Sequence, residues 1–405
     1  MKAYESYEYY DGKVRECCNY AVRSAKNFAT SDNNKKRQPC GPDEKHLASI
    51  LKKDLTQFCD TVVEENFTAD QQAYILSNLL IFIFMLISIV LAILSFFFAE
   101  YFLFIMIGSI VFSLLAFLGF FGVFGGTSKN VAGINIFATR NPEKEVTKRI
   151  IIEANLDAPF KRSLSRKTAL ILKTLNLFSI ILYIVFAILA LLVEYDKLTF
   201  FASEGFIYIA FPLSLFAFIP LALSRSVKAN ASFPGVVDNL IGCYTACGTL
   251  RAMSQMKLRT ENTEVCVLLS GAKNAGNAGV KTFCKMHEDA NKAVKTIVIS
   301  LDSIYNADAI TVISSSKKIT DLLATASSNS GVELLNINQK HIKKNGSFKV
   351  FKKAGIPVAT LTSLKEDLPA FFGSAKDNEE NINVKAVEAV MKTVLETIYA
   401  KDASK

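Results

Sequence analysis

Four loops carry the residues best suited to chemistry: "ANLDAP" with Asn155 and Asp157, "GVVDNL" with Asp238, "SGAKNAG" with Lys273 and Asn274, and "SLDSI" with Asp302. A fifth, "GSAKDNEENIN", contains Gly373 and Asp377. In α/β proteins such loops at the carboxyl ends of strands are where ligands and substrates are met. Acids there hold cations or move protons. "EVCVLLS" reads as a buried strand and "NAGVKTFCKM" opens a helix, yet the handover between them holds an amine and an amide where an acid is usual.

The elements that must position these loops follow from periodicity. Apolar, β-rich runs ("NVAGINIFA", "RIIIEANL", "EVCVLLS", "KTIVISLD", "AITVISS", "IPVATLT") alternate with helical patterns such as "DEKHLASILKKDLTQFCDTVV" and "NVKAVEAVMKTVLETIYA". This alternation predicts an α/β fold with a mixed, largely parallel central sheet flanked by helices.

Long apolar segments interrupt the pattern. The chain has 405 residues, 51% hydrophobic and 20% charged, which fits a membrane part joined to a soluble part. Residues 79–99, 101–126, 174–193 and 205–224 each have the length and apolarity to cross a hydrocarbon core of about 30 Å. They predict an all-α, four-helix transmembrane part, with one hairpin over 73–124 and a second over 168–225. Residues 1–72, 125–167 and 226–405 are then three pieces of one discontinuous α/β domain.

The short turns hold Glu100, Glu194, Asp196 and Glu204 against Lys197, whereas the returning flanks hold Lys129, Arg140, Lys161, Arg162, Arg166, Lys167, Arg225 and Lys228. Positive flanks stay on the cytoplasmic side. Both termini and the soluble domain are therefore expected in the cytoplasm, and the sequons at Asn66 and Asn345 are expected to stay unglycosylated.

No acid, Arg or His falls in the middle of a span, which counts against transport; Lys173 lies at an edge, where it can snorkel. Pro212 and Pro220 mark kinks in the fourth span. "MKAYESYEYYDGKVRECC" lacks the apolar core of a secretory signal. The net charge of +9 is spread along the chain with its dense clusters beside apolar segments, so the bilayer is the expected partner and nucleic acid is not. The eight cysteines form no CxxC pair, and Cys243 and Cys247, one helical turn apart, are expected as core thiols. The basic run "KKNGSFKVFKK" is a solvated face near the membrane or a contact for anionic headgroups.

Taken in order, the loops resemble those of the co-catalytic zinc aminopeptidases, a family that includes glutaminyl cyclases and the non-catalytic ectodomains of transferrin receptor and nicastrin. The resemblance starts at "RQPCGPDEKHLASILKKDL", continues through "KNVAGINI", and ends with "FKVFKKAGIPVATL" and "DNEENINVKAVEAV", so it spans nearly all the residues outside the apolar segments.

It implies a site of five ligands holding two metals about a shared hydroxide, with a Glu as general base. Position by position, Asn155 stands where the family has a ligand His, and Asp157 matches the Asp that orients it. Asp238 matches the bridging carboxylate. Lys273 and Asn274 replace the consecutive Glu base and Glu ligand. Asp302 matches a ligand Asp, Gly373 falls on the terminal ligand His, and Ser347 and Phe348 replace a further "DH". An amide does not substitute for imidazole as a zinc donor.

The resemblance thus predicts a vestigial site at Asn155, Asp157, Asp238, Lys273, Asn274, Asp302 and Gly373, with no intact catalytic set and no metal or other cofactor. Asp238 and Asp302 are expected a few ångströms apart, with the Lys273 ammonium in place of the metals; alternatively Asp238 caps the helix "NLIGCYTACGTLRAM". His46, His287 and His341 fall off every ligand position. The expected function is that of a membrane-anchored pseudoenzyme that binds a peptide or protein partner or scaffolds a membrane complex. The alternative is an active metallo-aminopeptidase with a rearranged zinc site around Asp157, Asp238 and Asp302; a third class is transport with a regulatory soluble domain.

Overall fold

Ten strands are numbered here in chain order: β1 (Thr61–Asp70), β2 (Asn130–Arg140), β3 (Lys148–Asn155), β4 (Phe160–Arg162), β5 (Val227–Ser232), β6 (Thr263–Ser270), β7 (Lys295–Leu301), β8 (Thr311–Ser314), β9 (Leu335–Asn336) and β10 (Val358–Thr362). The computed structural model describes residues 3–31, 37–121, 123, 130–194, 215–336, 346–364 and 369–404. Eight strands form one sheet in the order β1-β2-β6-β3-β7-β10-β8-β9, and β4 pairs with β5 in a ribbon.

The centre of the sheet is parallel: β6 with β3, β3 with β7, and β7 with β10. β2 runs antiparallel to β6, and β8 antiparallel to β10. The expected mixed, largely parallel sheet is therefore present. Its central strands are apolar on both faces, as a sheet covered by helices on either side requires. On one side, the helices Tyr10–Thr30, Pro42–Thr56, Ile241–Gln255 and Val384–Ala403 close a core with Ile150, Ile152, Val265, Val267 and Ile299. The first helix presents Val14, Cys17, Cys18, Ala21, Val22, Ala25 and Phe28 to it, the stripe of an amphipathic helix. On the other, Ile151, Leu268, Val298 and Val358 meet Phe283 and Phe351.

The chain divides into two units. One comprises Met1–Ala69, Val131–Phe160 and Asn230–Lys405 and holds this sheet; the other comprises Asp70–Asn130 and Lys161–Ala229. In the second, the helices Ala73–Phe97, Phe102–Phe120, Arg166–Glu194 and Phe218–Ser226 pack around Met85, Met106, Ala116 and Ile180. Three segments among the described residues, Ala73–Ser95, Phe102–Phe120 and Lys167–Leu189, are long and apolar enough to cross a membrane.

Their contact is fixed by polar groups: Ser88 Oγ donates to Ser109 O at 2.6 Å, and Tyr183 OH donates to Ser88 O at 3.0 Å. Hydrogen bonds of this kind join helices that cannot be driven together by the hydrophobic effect in lipid. The Lys173 ammonium lies 5.1 Å from the centre of the Phe120 ring. Of the fourth expected span, residues 205–214 lie outside the described residues, as does Pro212; residues 218–226 form a helix that includes Pro220.

A candidate site at the carboxyl edge of the sheet

From β3 the chain passes to β6 on one side and then to β7 on the other, so the carboxyl end of β3 is a topological switch point, where open α/β sheets place their ligand crevice. Asn155 ends β3 opposite Ser270, the last residue of β6, and Asp302 follows Leu301 at the end of β7. Five of the seven residues singled out from the sequence sit on the three loops that leave these strands.

The loop after β6 begins at Gly271, where a side chain has no room: a Cβ there would lie 2.5 Å from Ile134 O and 2.8 Å from Glu44 Oε1. Ala272 follows with φ of 55°, and Ser303, next to Asp302, has φ of 56°. Left-handed backbone costs an L-residue roughly 1–2 kcal/mol, so both loops are held by their surroundings. The holding groups are specific. Glu44, fully buried, accepts the Ala272 N–H at 2.8 Å and also the Cys40 N–H. Asp157 accepts the backbone N–H groups of Lys273 and Asn274, each at 2.8 Å, and the Asn274 side-chain amide at 2.9 Å. Burial outweighs these bonds and keeps the Asp157 pKa above the ordinary carboxylate value.

This geometry aims the Lys273 side chain across the crevice. Its ammonium donates to both carboxylate oxygens of Asp302 at 3.3 Å and to Asn239 Oδ1 at 3.2 Å. Burial disfavours its charge, but Asp302, then Asp238, Glu153 and Asp157, outweigh burial and raise the lysine pKa. Asp238 is 8% exposed, and among the described residues no donor reaches its carboxylate. Burial pushes its pKa to about 7 against the pull of Lys273, with Asp302 and Asp377 adding to the rise.

The helix-cap reading of Asp238 is corrected by the structure. Asp238 lies inside a π-helical turn, Val236–Leu240, and its carboxylate makes no cap hydrogen bond. Asp377 takes that role, accepting the Val237 N–H at 2.7 Å and the Asp238 N–H at 3.2 Å, as an anion at a helix N-terminus does. Burial raises its pKa to about 6.

Asn155 is oriented by hydroxyls: Ser270 Oγ donates to its Oδ1 at 3.1 Å and Ser347 Oγ at 3.3 Å. Sequence reasoning missed the residue behind it. Glu153, fully buried inside β3, accepts Ser270 at 2.8 Å, Ser300 at 2.6 Å and Ser347 at 3.1 Å, and burial raises its pKa. The signal was an acid in the middle of "RIIIEANL", since a charge in a doubly covered strand needs partners. Arg37 was also passed over as a site residue. Only 1% exposed, it donates to Leu156 O, Pro234 O and Gly235 O at 2.7–2.8 Å and so ties the Asp157 loop to the Asp238 loop.

Gly373 does not join this group: it is exposed, at φ of 65°, with no atom within 4 Å of where a Cβ would stand. His46 stacks on Phe28 at 6.3 Å, and His287 Nε2 is 2.5 Å from Glu65 Oε1; His341 lies outside the described residues. Cys243 and Cys247 are buried free thiols, and Cys243 donates to Asn155 O at 3.1 Å. Among the described residues no group of three or more His, Cys, Asp or Glu side chains could hold a metal ion.

Known proteins share this architecture. Residues 224–398 match the family model described as Peptidase family M28. The aminopeptidase LapA of Legionella pneumophila superposes with a TM-score of 0.56 at 10% identity, over 100% of this chain and 76% of that one. A glutaminyl cyclase from Fimbriiglobus ruber gives 0.55 at 11% identity over 95% of each chain, and the Bacillus subtilis zinc aminopeptidase BSAP gives 0.55 at 11% over 94% of each. A search of curated protein sequences finds no match. The chain therefore has the fold of zinc aminopeptidases and glutaminyl cyclases, and its residues 224–398 are similar to peptidase family M28, as the resemblance of its loops implied.

Proposed function

We propose that this protein is a membrane-embedded, catalytically inactive relative of the zinc aminopeptidases, in which an ion-pair network centred on Lys273 stands in the place of the metals. The supporting observation is the Lys273 ammonium bonded to both oxygens of Asp302. A zinc pair does not fit this donor set. The oxygens of Asp157 are occupied by N–H donors, Asn155 offers an amide oxygen already bonded to two serines, and Gly373 offers no side chain. The position of a general base is filled by an ammonium, which cannot accept a proton from water.

On this reading the retained crevice binds a peptide or protein partner, or the domain scaffolds a membrane complex. The apolar helices cross the bilayer four times with both termini in the cytoplasm. Metal analysis and aminopeptidase assays on the full chain purified in mild detergent test the reading: no stoichiometric zinc and no chelator-sensitive release of aminoacyl groups are expected. Bound zinc at one or two per chain, together with such release, would overturn it. Single cysteines introduced at Glu100 and Lys45, probed with a membrane-impermeant maleimide in sealed cells, test the topology; labelling of the Lys45 position from outside would overturn it.

A further inference from the structure

At the opposite edge of the sheet, where β3, β7 and β10 begin, lies a groove of about 1870 Å³. It is framed by the loops that enter these strands, the helices 278–286, 317–330 and 346–353, and the end of Val384–Ala403. Its apolar lining includes Ile297, Ile319, Leu322 and Ile356. Its polar lining is one-sided: eight lysines and no arginine, against Glu145, Glu288 and Asp321. Of these lysines only Lys292 is paired with an acid, Glu288, among the described residues.

Lysines favour the last turn of a helix, whose carbonyls carry partial negative charge, and this accounts for Lys285 and Lys353. Lys401 occupies the same kind of position, in the last turn of Val384–Ala403. That residue is 4% exposed and lines the groove, and among the described residues its ammonium makes no hydrogen bond or ion pair. The carbonyls at the end of its own helix are taken by another lysine: Lys148 Nζ donates to Asp402 O at 2.7 Å and also to Ser404 O. Burial, and then the like charges of Lys318, Lys148 and Lys295, lower its pKa to about 8. A largely buried lysine beside like charges is stabilised when an anion joins them.

We propose that this groove is a binding site for a ligand carrying two or more phosphate groups, with Lys401 in its lining and Lys295 and Lys318 as its nearest rim contacts. A phosphate carries up to two charges on three strong acceptor oxygens, which matches a cluster of several amines better than a single carboxylate does. The groove exceeds the roughly 300–1,000 Å³ of common small-molecule pockets, leaving room for more than one phosphate and for an apolar body against its apolar lining. The source is either a soluble polyphosphate compound or a phosphorylated lipid headgroup.

The test uses the full chain in neutral detergent. Tripolyphosphate is titrated calorimetrically, and separately the micelles are doped with phosphatidylinositol bisphosphate or with phosphatidylcholine. Saturable binding is expected that weakens with salt, is lost by roughly tenfold or more in K295Q/K318Q, whose changes lie on the exposed rim, and is unchanged in K53Q. Binding of tripolyphosphate assigns a soluble ligand, and binding of the doped bisphosphate micelles alone assigns the headgroup. No binding by either probe, equal binding by K295Q/K318Q, or tighter binding of polyglutamate would overturn the proposal. In K401M, whose melting temperature is expected to rise as a charge beside like charges is removed, binding is expected to fall; a fall in melting temperature with intact binding would also overturn it.

Discussion

Replacing Lys273 with Met keeps the length of the aliphatic stem and deletes the charge. At an effective dielectric of about 20, unit charges 3.3 Å apart attract by about 5 kcal/mol. Most of that is offset by the cost of enclosing the pair, since Lys273 and Asp302 are only 13% and 11% exposed. The mutation removes the ammonium and leaves the Asp302 carboxylate without its partner and Asp238 without the Lys273 charge. Cutting one partner from a buried pair costs about 3–5 kcal/mol. For a unit of this size that is a fall in apparent melting temperature of roughly 6–20 °C, using about 2–4 °C per kcal/mol. The double variant K273M/D302N removes the stranded charge as well and is expected to recover most of the loss. Thermal melts of the full chain, followed by intrinsic tyrosine fluorescence in the same detergent, read both. A melting temperature unchanged in K273M, or a double variant no better than the single, would refute the ion-pair argument.

Asp238, with a folded pKa raised to about 7, favours the folded state below its unfolded pKa near 4, and that contribution is lost as pH rises through about 7. D238N is therefore expected to flatten the decline in stability between pH 4 and 7 and to gain on the order of 2–4 kcal/mol at pH 8, measured by melts across pH. Because burial raises the Glu153 pKa, E153Q is expected to cost less than about 1 kcal/mol, whereas E153L leaves the Ser300 hydroxyl without its acceptor and Ser270 and Ser347 with Asn155 Oδ1 alone, and is expected to cost about 1–3 kcal/mol; urea titration separates them. R37L strands three carbonyls, with an expected loss of about 3 kcal/mol and faster amide exchange over residues 156–158 and 234–238, read by hydrogen-exchange mass spectrometry.

The parallel core of the sheet was legible because doubly covered strands are written as continuous apolar runs, as in "RIIIEANL" and "KTIVISLD". Lys273, Asp302 and Asp157 were legible as a group because each lies within three residues of the end of such a run. Gly373 was not: its loop is tethered through Asp377 to the turn at Val237, and nothing in the spacing of "GSAKDNEEN" says which of its residues turns outward. The role of Asp377 was hidden for the same reason, since a carboxylate that caps a helix from another segment leaves no local pattern. Glu153 and Arg37 were hidden because their partners are hydroxyls and carbonyls on distant loops, which any sequence supplies.

The amide of Ala3 donates to Glu396 across 393 residues of chain, and the helix Tyr10–Thr30 that follows it packs against Ile241–Gln255 and Val384–Ala403. During synthesis at about 5–20 residues per second, that first helix waits roughly 20–80 s for its last partner. Through that interval its apolar stripe is open to water, the bilayer surface or a chaperone. Truncated or stalled nascent chains are therefore the species most exposed to aggregation and quality control, and a ribosome-bound intermediate lacking the final helix is expected to crosslink to holdase chaperones through Cys17 and Cys18.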